Sequence, residues 1–223
     1  MFRQLATTAL FIVVSAGLPV LVGAQGDPPA EAEASADLAR GEQLFQFCSQ
    51  CHGLDGGGNA LHLAPGIAGM SQWYLEAQLE KFKTGVRGPH PDDVGGLRMY
   101  PMSLWLREEA DLKDVAAYVA SLPRVEHPPE NNGSGNASRG AAFYAICVAC
   151  HLADGSGNQQ MGAPALTGMS DWYLYSAIQK YKTGARGSLP GDTLGPAMIG
   201  MVATLPDDDA IRDVIAHIQA LGK

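Results

Sequence analysis

The sequence lacks any excess of positive charge, and this excludes several classes of partner. Its 223 residues carry 15 Lys and Arg against 23 Asp and Glu, a formal net charge of −8. Nucleic acids and anionic membrane surfaces attract proteins through Lys and Arg, so we expect the chain to avoid both. The acidity is uneven, because residues 25–126 hold 15 acidic and 8 basic side chains whereas residues 127–223 hold 8 and 6. This asymmetry either orients docking to a basic partner or simply keeps the surface soluble.

Strand-like alternation of apolar and polar residues is also missing over any useful length, which argues against a β-sheet. Apolar residues instead recur at helical spacing. Helices are predicted near Asp37–Phe47, from the N-cap Ser71 to Gly85, and along a last apolar stripe ending at Leu122. Their counterparts are predicted near Ser138–Ile146, from Ser170 to Gly184, and ending at Leu221. The predicted fold class is therefore all-α.

Cysteine is scarce, and its four residues all lie in two copies of Cys-x-x-Cys-His. The copies are Cys48-Ser49-Gln50-Cys51-His52 and Cys147-Val148-Ala149-Cys150-His151. In this motif the thiols form thioethers with the vinyl groups of a haem, and the histidine ligates the iron. A redox dithiol, half of a zinc site and a structural disulfide fit less well. A dithiol does not require a histidine after both second cysteines, and zinc sites usually pair two Cys/His clusters within one small domain, whereas these clusters lie in separate repeats. The sequence predicts two covalently bound haem c groups per chain.

The two motifs belong to a long internal repeat. Residues 40–122 align with residues 139–221 at a constant offset of 99, without an insertion at any landmark. A period of this length indicates tandem domains, since solenoid repeats are about 20 to 50 residues long. We expect domains at residues 37–122 and 139–223, joined by a polar, proline-containing linker at residues 123–138.

A glycine is expected to let the first and last helices of each domain cross at close range. Gly41 and Phe45 lie four residues apart on one face of the first helix, and Tyr118 lies on the last helix. Small residues permit close helix packing. We expect these residues to have structural roles.

The first 24 residues have the pattern of an export signal. Arg3 precedes an apolar run from Leu5 to Val22, and Val22-Gly23-Ala24 offers a signal-peptidase site. Cleavage would leave a flexible tail at residues 25–36, whereas an uncleaved run of about 20 apolar residues would anchor the chain in a membrane. In both cases the folded part is exported, so the predicted location is the periplasm, where the thiols are consumed by haem attachment outside the reducing cytosol.

The second axial position of each iron is filled in an electron carrier and open in an enzyme or a ligand-binding protein. No second histidine is shared by the two repeats, whereas every candidate methionine is. The matched methionines are Met70 with Met169, Met99 with Met198, and Met102 with Met201. Met70 and Met169 follow a glycine at a helix start and are expected to pack in the core. The residues alone leave the other two pairs open as iron ligands.

The order of these features resembles that of the di-haem class I cytochromes of the cytochrome c4 type, over residues 37–222. A helix, the Cys-x-x-Cys-His motif, a proline, a middle helix, a methionine loop and a last helix follow one another twice. In that family the axial methionine precedes the leucine before the last helix by seven residues, as Met99 precedes Leu106 and Met198 precedes Leu205. The resemblance implies His/Met ligation by Met99 and Met198, and two small helical domains that each wrap one haem.

Six further residues are candidates for contact with a haem or with its histidine ligand: Pro65, Pro164, Arg87, Arg186, Trp73 and Trp172. The resemblance implies that each proline carbonyl accepts a hydrogen bond from the histidine ring. The arginines suit haem propionates, or they are solvated loop residues. The tryptophans either donate an indole N–H to a propionate or pack as aromatics at a helix start. The Lys-Thr-Gly-x-Arg-Gly segment and the long linker depart from the typical family pattern.

Closed His/Met coordination favours electron transfer over catalysis, so we predict a carrier and not an enzyme. Its expected donor is a membrane quinol-oxidising complex or a dehydrogenase, and its expected acceptor is a terminal oxidase or reductase. Such encounters use small, transient interfaces. Two alternatives are a cytochrome subunit of a larger dehydrogenase or oxidase complex and a di-haem peroxidase-like enzyme, which needs one iron to open.

Overall fold

Helices form both repeats, which confirms the predicted all-α class. The computed structural model describes residues 35–126 and 135–222. The first repeat contains α1 (Leu38–His52), α2 (Gln72–Lys83), α3 (Val94–Ser103) and α4 (Glu109–Ser121). The second contains α5 (Ala137–Tyr144), α6 (Val148–His151), α7 (Asp171–Lys182), α8 (Gly195–Val202) and α9 (Asp208–Leu221). Within the described ranges, no helix combines the length and apolar character needed to cross a membrane.

The predicted export signal, most of the N-terminal tail and linker residues 127–134 lie outside the described residues. The last residues of the expected linker are helical, because Asn136 caps α5 by accepting a hydrogen bond from the Arg139 N–H. From Ser35 onward the two repeats pack as one compact unit.

The first and last helices of each repeat cross at a glycine, as predicted. A Cβ atom on Gly41 would overlap the Asp114 carbonyl oxygen of α4, and one on Gly140 would overlap the Asp213 carbonyl oxygen of α9. Beside the first crossing, the rings of Phe45 and Tyr118 lie 5.6 Å apart. Only a residue without a side chain permits this approach of two backbones.

A buried carboxylate on the last helix also fixes the start of the first helix. Asp114 accepts a hydrogen bond from the Asp37 N–H at 2.8 Å. Asp213 accepts hydrogen bonds from the Asn136 N–H and from Arg139 Nε, both at 2.6 Å. In each repeat, the equivalent aspartate therefore links the crossing of the two helices to the N-terminus of the first helix.

The middle helices α2 and α7 complete the two cores. Ser71 occupies the N-cap position of α2 as predicted, although its side chain makes no capping hydrogen bond. Met70 and Met169, directly before these helices, are 8% and 6% exposed and belong to the hydrophobic core, as expected for packing residues. α2 packs against α3 and α4, and α7 packs against α8 and α9.

The prediction that the candidate methionine ligands lie in loops is wrong, because the segments that carry them form helices α3 and α8. Gly95, Gly96 and the internal Pro101 lower the intrinsic helix propensity of α3. The Asp93 side chain offsets this by accepting a hydrogen bond from the Gly96 N–H at 2.9 Å. Packing against α2 then supplies the tertiary contacts on which most protein helices depend.

Candidate functional site

Both Cys-x-x-Cys-His motifs lie in helical segments and end with the last residue of a helix. α1 carries Cys48 and Cys51 in its last turns, whereas in the second repeat Cys147 directly precedes the short helix α6, which carries Cys150. None of the four cysteines is in a disulfide, so all of them are available for thioether attachment. Burial raises the pKa of the Cys48 and Cys147 thiols to about 11, which keeps both protonated at neutral pH.

The two motif histidines have the same surroundings. Nδ1 of His52 lies 2.8 Å from the Pro65 carbonyl oxygen, and Nδ1 of His151 lies 2.8 Å from that of Pro164. Burial lowers the pKa of both imidazoles, an effect that the carbonyls only partly oppose. A neutral ring that donates from Nδ1 leaves the lone pair of Nε2 for a metal ion.

A tight loop brings each proline carbonyl to its histidine. In the first repeat, the Gly58 N–H donates to the His52 carbonyl oxygen at 2.7 Å. Gly58 has a φ of 87°, and a Cβ atom there would overlap the Gly66 nitrogen. Gly157 repeats this arrangement, with a φ of 82°. Glycine is needed because the backbone is left-handed and a second segment lies against it.

The candidate methionines lie on α3 and α8. Met99 and Met198 are both half-buried at equivalent positions of these helices. Met102 is also half-buried, whereas its counterpart Met201 is 42% exposed. Of these two pairs, Met99 and Met198 are thus the one that is buried to a similar degree in both repeats.

The two candidate arginines lie between the repeats. Arg87 donates to Gln78 Oε1 at 2.7 Å and to the Tyr173 hydroxyl of the other repeat at 3.3 Å. Arg186 donates to the Tyr74 hydroxyl at 3.3 Å and to the same Gln78 oxygen at 3.1 Å. The arginines are only 9% and 7% exposed. The solvated-loop alternative is therefore wrong.

Arg87 and Arg186 together could bind an anion. Among the described residues, the hydrogen-bond partners of Arg87 and Arg186 are uncharged oxygens, and the buried Nε of Arg87 has no partner. Burial acts to raise the pKa of Tyr173, but the two guanidinium charges outweigh it and lower that pKa to about 7. The charge of Arg87 also acts on the Asp93 carboxylate, but its buried Nε donor has no hydrogen-bond partner. A carboxylate oxygen suits such a donor, so the propionates of a haem fit here.

The candidate tryptophans are half-buried in the first turns of α2 and α7. The Trp73 ring meets Tyr74 edge-on at 5.7 Å, and the Trp172 ring meets Tyr173 in the same way at 6.0 Å. These contacts are those of packed aromatics at a helix start.

Sequence reasoning missed the residues that join the two repeats. They include Tyr74, Gln78, Lys81, Asp93, Tyr173, Lys180 and Asp192. The available signal was the offset of 99, at which the lysine, the aspartate and the tyrosine all recur. A lysine and an aspartate that recur in both repeats can form ion pairs either within a repeat or between the repeats.

Comparisons with known proteins agree with this architecture. The cytochrome c family model matches residues 38–123 and 137–222. Cytochrome c4 of Stutzerimonas stutzeri is 31% identical over 198 residues, which cover 85% of this chain and 91% of that protein. A thiosulfate dehydrogenase electron acceptor of Stutzerimonas stutzeri (strain A1501) is 30% identical over 187 residues, 79% of each chain. The structure of reduced recombinant cytochrome c4 from Pseudomonas stutzeri has a TM-score of 0.65 at 30% identity, covering 82% of this chain and 98% of that one. The chain therefore belongs to the cytochrome c family and is a cytochrome c4-like electron carrier with two covalently bound haem c groups.

Proposed function

We propose that the chain is a periplasmic electron carrier in which a histidine and a methionine would hold each haem iron. His52 and Met99 hold one iron, and His151 and Met198 hold the other. The observation that carries this proposal is the repeated 2.8 Å contact between a histidine Nδ1 and a proline carbonyl. This contact fixes the ring tautomer that offers Nε2 as the ligand atom. Bound haem c supplies one-electron exchange at its iron.

The remaining residues hold the group in place. The cysteines of both motifs are the thioether attachment points: Cys48, Cys51, Cys147 and Cys150. Arg87 and Arg186 neutralise propionate carboxylates between the repeats, which satisfies the Arg87 Nε that otherwise has no partner. Methionine ligation raises the reduction potential and closes the iron to substrates, so the residues support electron exchange and not catalysis.

The proposed partners are redox proteins on either side of the carrier. A quinol-oxidising membrane complex or a dehydrogenase donates electrons, and a terminal oxidase or reductase accepts them. The relative named as a thiosulfate dehydrogenase electron acceptor supports a dehydrogenase as one donor class. Export to the periplasm is supported by the signal-like pattern at residues 1–24. A chain that instead serves as a fixed subunit would be purified with a stoichiometric partner.

The ligand assignment is tested by methionine substitutions in the purified exported protein. Visible spectroscopy during a potentiometric titration reports the methionine–iron charge-transfer band at the red end of the spectrum. Met99→Ala and Met198→Ala should each abolish the band of one haem and lower the potential of that haem, because the sulfur ligand is lost. Met102→Ala and Met201→Ala are the matched controls and should retain both bands. Loss of a band in a control instead would move the ligand role to that methionine.

A further inference from the structure

Two lysines cross between the repeats in a reciprocal way. Lys81, on α2 of the first repeat, donates to Asp192 Oδ1 of the second repeat at 2.7 Å. Lys180, on α7 of the second repeat, lies 2.7 Å from Asp93 Oδ1 of the first. The lysines are equivalent at the offset of 99, and so are the aspartates. Each repeat therefore supplies a cation to the other and receives one from it.

In both ion pairs the carboxylate is shielded from water and the lysine is partly exposed. The side chains of Asp93 and Asp192 are 1% and 4% exposed, and those of Lys180 and Lys81 are 22% and 24% exposed. Burial alone acts to raise the pKa of both carboxyl groups, but the lysines and backbone N–H groups outweigh it, so each pKa lies below its ordinary value. The carboxylates are thus charged at neutral pH. Lys81 neutralises Asp192, and Lys180 neutralises Asp93 with a further contribution from the charge of Arg87.

Each of these aspartates also binds the beginning of a methionine helix. Asp93 Oδ1 accepts a hydrogen bond from the Gly96 N–H of α3 at 2.9 Å. Asp192 Oδ1 accepts one from the Gly195 N–H of α8 at 2.8 Å. The oxygen that receives the lysine is therefore the same oxygen that accepts the hydrogen bond from the first turn of the methionine helix. Gly96 and Gly195 each precede the proposed methionine ligand by three residues, less than one helical turn.

The cap region has little room to move. A Cβ atom on Gly96 would overlap the Asp93 carboxylate and lie 2.7 Å from the Gly88 Cα. The same crowding occurs between Gly195 and Gly187 in the second repeat. Gly88 and Gly187 close the Lys-Thr-Gly-x-Arg-Gly segments, which thereby have a packing role against α3 and α8. A displacement of the carboxylate is passed to the helix start, because close-packed groups shift together.

We propose that each repeat holds the methionine helix of the other in position: Lys81 positions α8, and Lys180 positions α3. The inference rests on the proposed assignment of Met99 and Met198 as iron ligands. The lysines are positioning residues that act through the aspartate caps. Docking of the two repeats thus supports methionine ligation at both irons, and loss of one crossing lysine weakens ligation in the opposite repeat.

The test compares Lys81→Met with Lys180→Met in the full-length protein loaded with both haems. Spectra of the two single ligand variants, Met99→Ala and Met198→Ala, first assign each charge-transfer band and each midpoint potential to its haem. Lys81→Met should then weaken the band and lower the potential of the second-repeat haem, and leave the first-repeat haem near its original values. Lys180→Met should give the reverse. This crossed pattern follows from the proposed contacts and is not expected from a general loss of stability.

Matched controls remove the same charge from the same two helices. Lys83 Nζ donates to the Arg107 carbonyl oxygen at 3.2 Å, and Lys182 Nζ donates to the Leu205 carbonyl oxygen, each within its own repeat. Lys83→Met and Lys182→Met should therefore leave the haem of the opposite repeat unchanged. Lys81→Arg, which keeps the charge, should restore the second-repeat band at least in part.

A second variant keeps the test decisive should a lysine variant fail to fold. Asp192→Asn breaks the ion pair but retains a side chain that caps helices well, and Lys81 is exposed enough to reach water. It should affect the second-repeat haem, as Lys81→Met does. The inference is overturned when the crossing variants alter the haem of the lysine's own repeat, alter both haems equally, or match their controls. Absence of methionine bands in the unaltered protein would instead refute the proposed function.

Discussion

Single buried carboxylates organise much of this molecule at the residue scale. Asp213 is 2% exposed and binds both the Asn136 N–H and the Arg139 guanidinium. The Arg139 hydrogen bond is the largest cause that lowers the pKa of Asp213 below its ordinary value. Folding therefore favours the charged form of this side chain.

This shift predicts a pH dependence of stability for Asp213→Asn. Because the folded-state pKa is depressed, the stabilisation by Asp213 is fully present above the unfolded-state pKa of about 3.9 and is lost as the pH falls through the folded-state pKa. The variant should be less stable than the unaltered protein at pH 7, and the difference should narrow below about pH 4. Denaturant unfolding followed by circular dichroism at several pH values measures it.

Asp209→Asn provides the control on the same helix. The Asp209 side chain is 80% exposed and pairs with Arg212 on the surface. Its replacement should change the free energy of unfolding by no more than about 0.5 kcal/mol at any of these pH values. An equal effect of both variants would show that general surface charge, and not the buried contact, sets the acid sensitivity.

Helix crossings at glycine are the main constraint at the scale of the elements. Gly41 and Gly140 bring backbone against backbone, so the distance between the first and last helices of each repeat cannot increase without opening the core. Those same first helices lead into the cysteine motifs. The position of each haem attachment turn thus depends on a crossing that lies several residues before it.

Gly41→Ala is accordingly expected to destabilise the protein, although alanine is the better helix former. The added Cβ would overlap the Asp114 carbonyl oxygen, and relief of such overpacking costs about 1–3 kcal/mol. Gln43→Ala, at an exposed position of the same helix, should stay within about 0.5 kcal/mol. Denaturant unfolding of the two variants compares them, and a Gly41→Ala protein as stable as the unaltered chain would mean that the helices separate freely.

The elements also show where sequence reasoning works and where it stops. Periodicity and the offset of 99 located α2 and the last helices, because those signals are local or repeated. Periodicity failed for α3 and α8, where glycine and proline suggest a loop. A hydrogen bond from the first turn to a nearby aspartate, together with packing, stabilises each helix instead. Contacts such as Lys81 with Asp192 join residues 111 positions apart, and no periodic pattern in one repeat reveals them.

The whole molecule carries an excess of negative charge. Acidic residues outnumber basic ones by 15 to 8 over residues 25–126, and the whole sequence has a net charge of −8. A field of this sign attracts cationic partners over distances set by the ionic strength. The Debye length falls from about 30 Å at 0.01 M salt to about 8 Å at 0.15 M salt. The attraction should therefore be largely screened at about 0.15 M salt.

We therefore expect salt to slow electron transfer from a cationic partner. Stopped-flow oxidation and reduction with small metal complexes of opposite charge measures this directly. Between about 0.01 and 0.15 M salt, rates with a cationic ruthenium ammine should fall because its attraction to the protein is screened. Rates with anionic hexacyanoferrate should rise because its repulsion is screened. Rates that do not depend on ionic strength for either probe would argue against electrostatic docking.

The reciprocal lysine–aspartate contacts have the form of an isologous dimer interface, in which residue i of one copy meets residue j of the other and the reverse also holds. A single repeat consequently carries both halves of a self-complementary surface. Joining two copies in one chain replaces a concentration-dependent association by an intramolecular one. A chain built from two such repeats thus has a matched pair of docking surfaces, because each repeat contains the partner residue that the other requires.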